Sequence, residues 1–285
     1  MKKAVVIGNI ITVDDKRPFA KAAFVKDGVF AYIGDADEAK KLAGNDAQIL
    51  DYGENYIYPG FLESHCHGYM AGDRAIGQAN LAQVLVTDYA KYREIIKDFI
   101  AKNPKREVYV AAGWTENDEY VTKTYLDEIC SDKPLIMNTG GGHSMLLNTK
   151  ALEWVGIDAA YAKKYGYDMV HVDDNGDPDG YVCELPVMEI MTKLPTSMED
   201  AKNYLLTWQD IALKNGYTAV ADAGVELINP IALRAYHELE KEGKLKLRTY
   251  GYLLIQKIPN RQKLKLPAPP RPAQTTAMNI FILSA

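Results

Sequence analysis

Two histidines stand one residue apart in "PGFLESHCHGY", residues 59–69, of a chain with only five histidines. Side chains alternate between the faces of a strand, so His65 and His67 share one face and Cys66 takes the other. Two neutral imidazoles at that separation can both reach one Zn²⁺ at about 2.0–2.1 Å. The plain alternative is a pair of polar residues that share a strand face by chance. The setting favours the metal: a β-prone run leads in, Pro59-Gly60 opens the strand and Gly68 closes it.

Other residues with chemical potential are more scattered. His143 lies in "GGGHS", where a glycine-rich backbone could equally satisfy it as an ordinary loop histidine. Glu184 ends "DPDGYVCE", where a partly solvated carboxylate at a helix start is the competing reading. Asp222 comes late in "TAVADAG", at the strand end where barrel enzymes keep catalytic groups. Trp114 ends "EVYVAAGW" and is read either as a pocket wall or as core. His171 falls in an irregular stretch and His237 in a charged helix, and both read as surface or packing residues.

The chain that carries these residues has two rhythms. Residues 1–58 read as short strands and turns, a small β layer. In it "AAFVKDGVFAYIG" is a hairpin through Asp27-Gly28, and Asp35 caps a short helix that Gly44 ends. From Pro59 strands alternate with helices: strands at 107–114, 134–140, 217–224 and 246–255, and helices at 85–103, 197–216 and 229–243. That alternation implies βαβ units and a parallel sheet. With a histidine pair at the end of its first strand, a TIM-type (β/α)₈ barrel is the α/β fold that suits it best. Residues 157–183, rich in Tyr, Asp and Gly, form an excursion.

Composition excludes several classes. The 285 residues are 47% hydrophobic and 25% charged, with a net charge of −5, which argues against a nucleic-acid partner. Three cysteines are too few, and odd in number, for a disulfide framework. The opening "MKKAVVIGNIITVDD" alternates and lacks a small-residue cleavage site, so it reads as a strand and the protein as cytoplasmic. No apolar run approaches the roughly 20 residues of a membrane span.

Taken in order, these motifs resemble the metal-dependent amidohydrolase superfamily, and within it the amidohydrolase family 3 group. "GNIITVDD", "VKDGVFAYIGD" and "YIYPGFLESHCHGY" resemble its opening β-sandwich half and first barrel strand. "GWTENDEY" through "TKALEWVGI", then "DPDGYVCE" and "GYTAVADAG", are similar to the later segments of that family in the family's order, so the likeness spans about residues 3–255. The resemblance implies that His65 and His67 are the first two metal ligands. It also implies that His143 hydrogen-bonds substrate or a developing oxyanion, and that Glu184 contacts metal or a polar substrate group. The activity implied is hydrolysis of non-peptide carbon–nitrogen bonds, amide or formamide, by metal-bound hydroxide on one or two divalent ions, Zn²⁺ by family. The partner is then a small amide-like molecule, with homo-oligomerisation left open.

The family pattern calls for a Lys-x-x-x-Asp-Gly stretch, two further histidines and an aspartate beyond the strand ending near Leu254. No histidine follows His237, no acid follows Glu242, and eight basic residues come after that glutamate. Residues 256–285 hold four prolines between Pro267 and Pro272 and show no strand–helix pattern, so an aberrant tail, genuine or read out of frame, is expected there. The barrel would then be incomplete and the chain prone to aggregate. The alternative to an active hydrolase is a shortened, non-catalytic remnant or a regulatory or binding protein of the same family.

Overall fold

Asp27 and Gly28 take φ of 51° and 83°, the left-handed pair that a two-residue reversal between twisted strands requires. The computed structural model describes residues 2–85, 88–116, 121–223, 225, 231–255 and 278–284. It divides into two units, Met1–Phe61 and Leu62–Ala285.

In the first unit β1 (Lys3–Ile11), β2 (Phe19–Lys26), β3 (Val29–Gly34), α1 (Ala36–Ala43) and β4 (Gln48–Ile57) form one sheet with one helix, in the strand order β3-β2-β1-β4. The hairpin β2–β3 falls where Asp27-Gly28 predicts it. Asp35 caps α1 by accepting the N–H groups of Asp37 and Glu38, and Gly44 ends it at φ 77°. Val5, Ala22 and Phe24 bury one sheet face against Ala39 and Ala43. Residues 48–57 form a single strand, β4, and a new strand begins at Phe61.

The second unit opens with β5 (Phe61–Cys66), α2 (Gly68–Ile76), β6 (Ala79–Asn80), α3 (Tyr89–Lys102) and β7 (Tyr109–Trp114). It continues with α4 (Lys123–Asp127), β8 (Leu135–Thr139), β9 (Ser144–Leu147) and α5 (Thr149–Val155). Next come α6 (Ala159–Tyr165), β10 (Val170–Val172), β11 (Pro178–Cys183), α7 (Leu185–Lys193) and α8 (Met198–Lys214). β12 (Tyr217–Ala223), α9 (Ile231–Lys241), β13 (Arg248–Ile255) and β14 (Met278–Ser284) complete the described elements. Short polar side chains cap the helices as their chemistry favours: Asn148 accepts Ala151 N–H at the start of α5, and Ser197 accepts Asp200 N–H at the start of α8.

Two sheets share the βα series, β10-β11-β9-β8-β7-β6 and β14-β13-β12-β5. This is the strand–helix architecture of an incomplete TIM-type barrel, open among the described residues. Two expectations need correction. The first of these sheets is not all parallel: β9 runs antiparallel to β8 and to β11, because residues 140–143 are too short for a crossover. The stretch after residue 255 is not without barrel elements either, since β14 pairs in parallel with β13 along its whole length. The proline-rich residues between them lie outside the described residues.

Candidate metal centre

The site is built on β5, an edge strand. Its alternation turns Cys66 toward a buried cluster with Ala212, Val220 and Leu247, while His65 and His67 face the other way and are exposed. The two imidazoles stand 5.3 Å apart between centroids, edge to face. Burial, reinforced by the charges of Asp222 and Glu63, pushes the Cys66 thiol up to about 12. Without an ion beside it, the thiol stays protonated at neutral pH, and it points away from the histidine pair.

His67 directly follows β5 and stands at the N-cap of α2. Its Nδ1 lies 2.7 Å from the carbonyl oxygen of Ala223 on β12. A carbonyl only accepts, so Nδ1 carries the hydrogen and Nε2 of the neutral ring keeps its lone pair. That tautomer is the one a metal ligand bonded through Nε2 needs. The donor set therefore fits a divalent ion such as Zn²⁺ as half of a ligand shell. Among the described residues no group of three or more His, Cys, Asp or Glu side chains is placed to hold an ion. One residue on this face escaped the sequence reading: Glu63 precedes His65 by two, and its Oε1 accepts the His65 backbone N–H at 3.0 Å. The same period-2 parity that pairs the histidines also points to it.

His143 and Glu184 form a second pair. The turn 140–143 carries His143 between β8 and β9, and its Nδ1 lies 3.5 Å from the Glu184 carboxylate, at the outer limit of a hydrogen bond. Glu184 holds φ 57° and ψ −116°, a backbone region that a side chain disfavours, at the junction of β11 and α7. Its N–H donates to the His143 carbonyl at 2.8 Å, which pins the strained turn beside the histidine. The turn is tied back to the first pair through α2, because Arg74 Nη1 donates to the Gly140 carbonyl at 2.9 Å.

Two expected site residues sit elsewhere. Asp222 shares the Val220 face of β12 and is 2% exposed, so it lies on the helix-covered side of the sheet rather than on the histidine face. Trp114 is 4% exposed, in the core with Tyr92, Ile96 and Leu126. The cause is a bulge at Gly113, φ 100°, which pairs Trp114 with Thr139 after Ala112 pairs with Asn138. The extra residue turns the indole onto the helix-covered face. A lone glycine inside a strand is the signal that could have shown it.

The fold is that of metal-dependent hydrolases. A solved structure of an uncharacterised metal-dependent hydrolase from Pyrococcus horikoshii superposes with a TM-score of 0.67 at 24% identity, over 89% of this chain and 49% of that one. A family model described as "Amidohydrolase family" matches residues 48–283, and the chain belongs to that family. It is 26% identical over 265 residues to the exoenzymes regulatory protein AepA of Pectobacterium carotovorum subsp. carotovorum, covering 85% of this chain and 54% of that protein. It is 24% identical over 262 residues to the N-substituted formamide deformylase of Arthrobacter pascens, covering 85% of this chain and 45% of that enzyme. The chain thus spans about half the length of the curated relatives it matches. Among the described residues no helix is long and apolar enough to cross a membrane.

Proposed function

We propose that this protein is a metal-dependent hydrolase of non-peptide carbon–nitrogen bonds, of the amide or formamide type. The observation that carries the reading is the exposed His65–His67 pair on one strand face, with the His67 tautomer set by the Ala223 carbonyl. Family membership and the likeness to a formamide deformylase support the bond type.

His65 and His67 would hold the ion, Zn²⁺ by family. When bound, it supplies Lewis-acid activation of water and of the scissile carbonyl. His143 donates a hydrogen bond to the substrate oxygen as negative charge gathers there. Glu184, facing His143 Nδ1, orients that imidazole. The substrate is a small amide-like molecule.

Metal analysis of the purified chain tests the reading. About one Zn²⁺ per chain is expected, lost in His65→Ala and in His67→Ala, together with release of formate from N-substituted formamides. Folded wild-type protein free of metal after dialysis against Zn²⁺ sinks it. That outcome would favour the second reading, a regulatory or binding protein. The relative named as a regulator and the short ligand set of the described residues both speak for that reading.

A further inference from the structure

Asp222 is a buried acid to which the proposed chemistry gives no task. Its carboxylate joins three elements. It extends from β12, accepts the N–H of Gly68 at the start of α2 at 3.2 Å, and accepts the Tyr236 hydroxyl from α9 at 2.7 Å. Asp222 and Tyr236 are each 2% exposed. The junction has no slack: a Cβ on Gly68 would stand 2.6 Å from Trp208 Cδ1 and 2.8 Å from the Tyr236 hydroxyl oxygen.

Gly68 directly follows His67, and Ala223, whose carbonyl holds the His67 ring, directly follows Asp222. Two consecutive residues of β12 thus restrain the histidine, Ala223 at the ring and Asp222 at the backbone that carries it. The charge also suits the place. The free N–H groups of a helix start favour a negative acceptor, yet α2 has no acid in its first turn and no capping bond from its own N-cap side chain.

We propose that Asp222, held by Tyr236, is a positioning residue that aims Nε2 of His67 at the metal site. The proposal rests on the metal reading of His65 and His67. Outer partners of metal-ligating histidines typically govern tenfold to hundredfold in affinity. The test is Zn²⁺ and Co²⁺ affinity of the full chain by competition with a chromophoric chelator, alongside urea unfolding of the same samples. Asp222→Ala is expected to weaken binding about tenfold or more, and Tyr236→Phe to weaken it less. Asp222→Asn, whose amide oxygen still accepts the Gly68 N–H, should recover most of the loss. The visible spectrum of bound Co²⁺ should change in Asp222→Ala and return toward wild type in Asp222→Asn.

A purely structural role would lower the urea midpoint and leave the affinity of the folded protein untouched. Wild-type affinity in Asp222→Ala overturns the proposal. Should that variant fail to fold, wild-type affinity in the nearly isosteric Tyr236→Phe overturns it instead. Wild-type protein that binds no metal overturns the underlying metal reading, a separate outcome.

Discussion

At the scale of single residues, Glu184 shows backbone strain kept at a candidate site. A non-glycine residue in its conformation costs of order 1–3 kcal/mol, and its own side chain makes no capping bond to α7 that would offset the cost. The strained turn does set the carboxylate against His143. Glu184→Gly should therefore raise the unfolding free energy by about 1 kcal/mol while lowering hydrolysis of formamides. Urea denaturation and turnover of the same preparation check both halves, and an unchanged or lower midpoint defeats the strain argument. Trp114 carries the opposite lesson: its chemistry suits a pocket wall, but the bulge before it assigns it to packing.

At the scale of elements, α2 is the piece that local rules argue against. "GYMAGDRAIG" starts α2 with Gly68, places Gly72 inside it and Gly77 just past its end, and a glycine in a helix interior costs about 1 kcal/mol relative to alanine. Packing explains them. Gly68 and Gly72, four apart, lie against Trp208 and Tyr204, also four apart on α8, and a Cβ on Gly72 would fall 1.9 Å from the Tyr204 carbonyl oxygen. Bare glycines let the two helices approach closely, which fixes where α2 begins and so where His67 sits. The same helix half-buries Asp73, whose carboxyl is raised from 3.8 to about 6 by desolvation, a bond from Gln78 opposing it. Because the folded state holds this proton more tightly, the group's contribution is fully present below about pH 4 and is lost as pH rises through 6. Asp73→Asn should flatten the fall in stability between those values and raise the melting temperature at pH 7–8. Calorimetry across that range checks it, and parallel pH profiles for wild type and variant would refute the assignment.

For the whole molecule, the first unit covers one face of its sheet with α1 and leaves large apolar side chains outside. Phe19, Phe30 and Tyr56 are 68%, 67% and 65% exposed. The strand β5 is a sheet edge that carries exposed Phe61 and Leu62. Apolar surface of this kind beside an edge strand is a template for association. The isolated chain should scatter light increasingly with concentration and unfold irreversibly on heating. A monodisperse monomer with a sharp, reversible transition would contradict this.

Whatever depends on a few adjacent residues was legible in the sequence. The Asp27-Gly28 hairpin, the caps at Asp35 and Ser197, and the shared face of His65 and His67 come from turn chemistry, orphan N–H groups and the two-residue period of a strand. Features that depend on distant neighbours emerged only once the chain was folded. Which face Asp222 occupies and the existence of α2 turn on pairing register and on how closely remote segments approach. Those are energies of packing between chain segments far apart in sequence, and no short window of residues contains them.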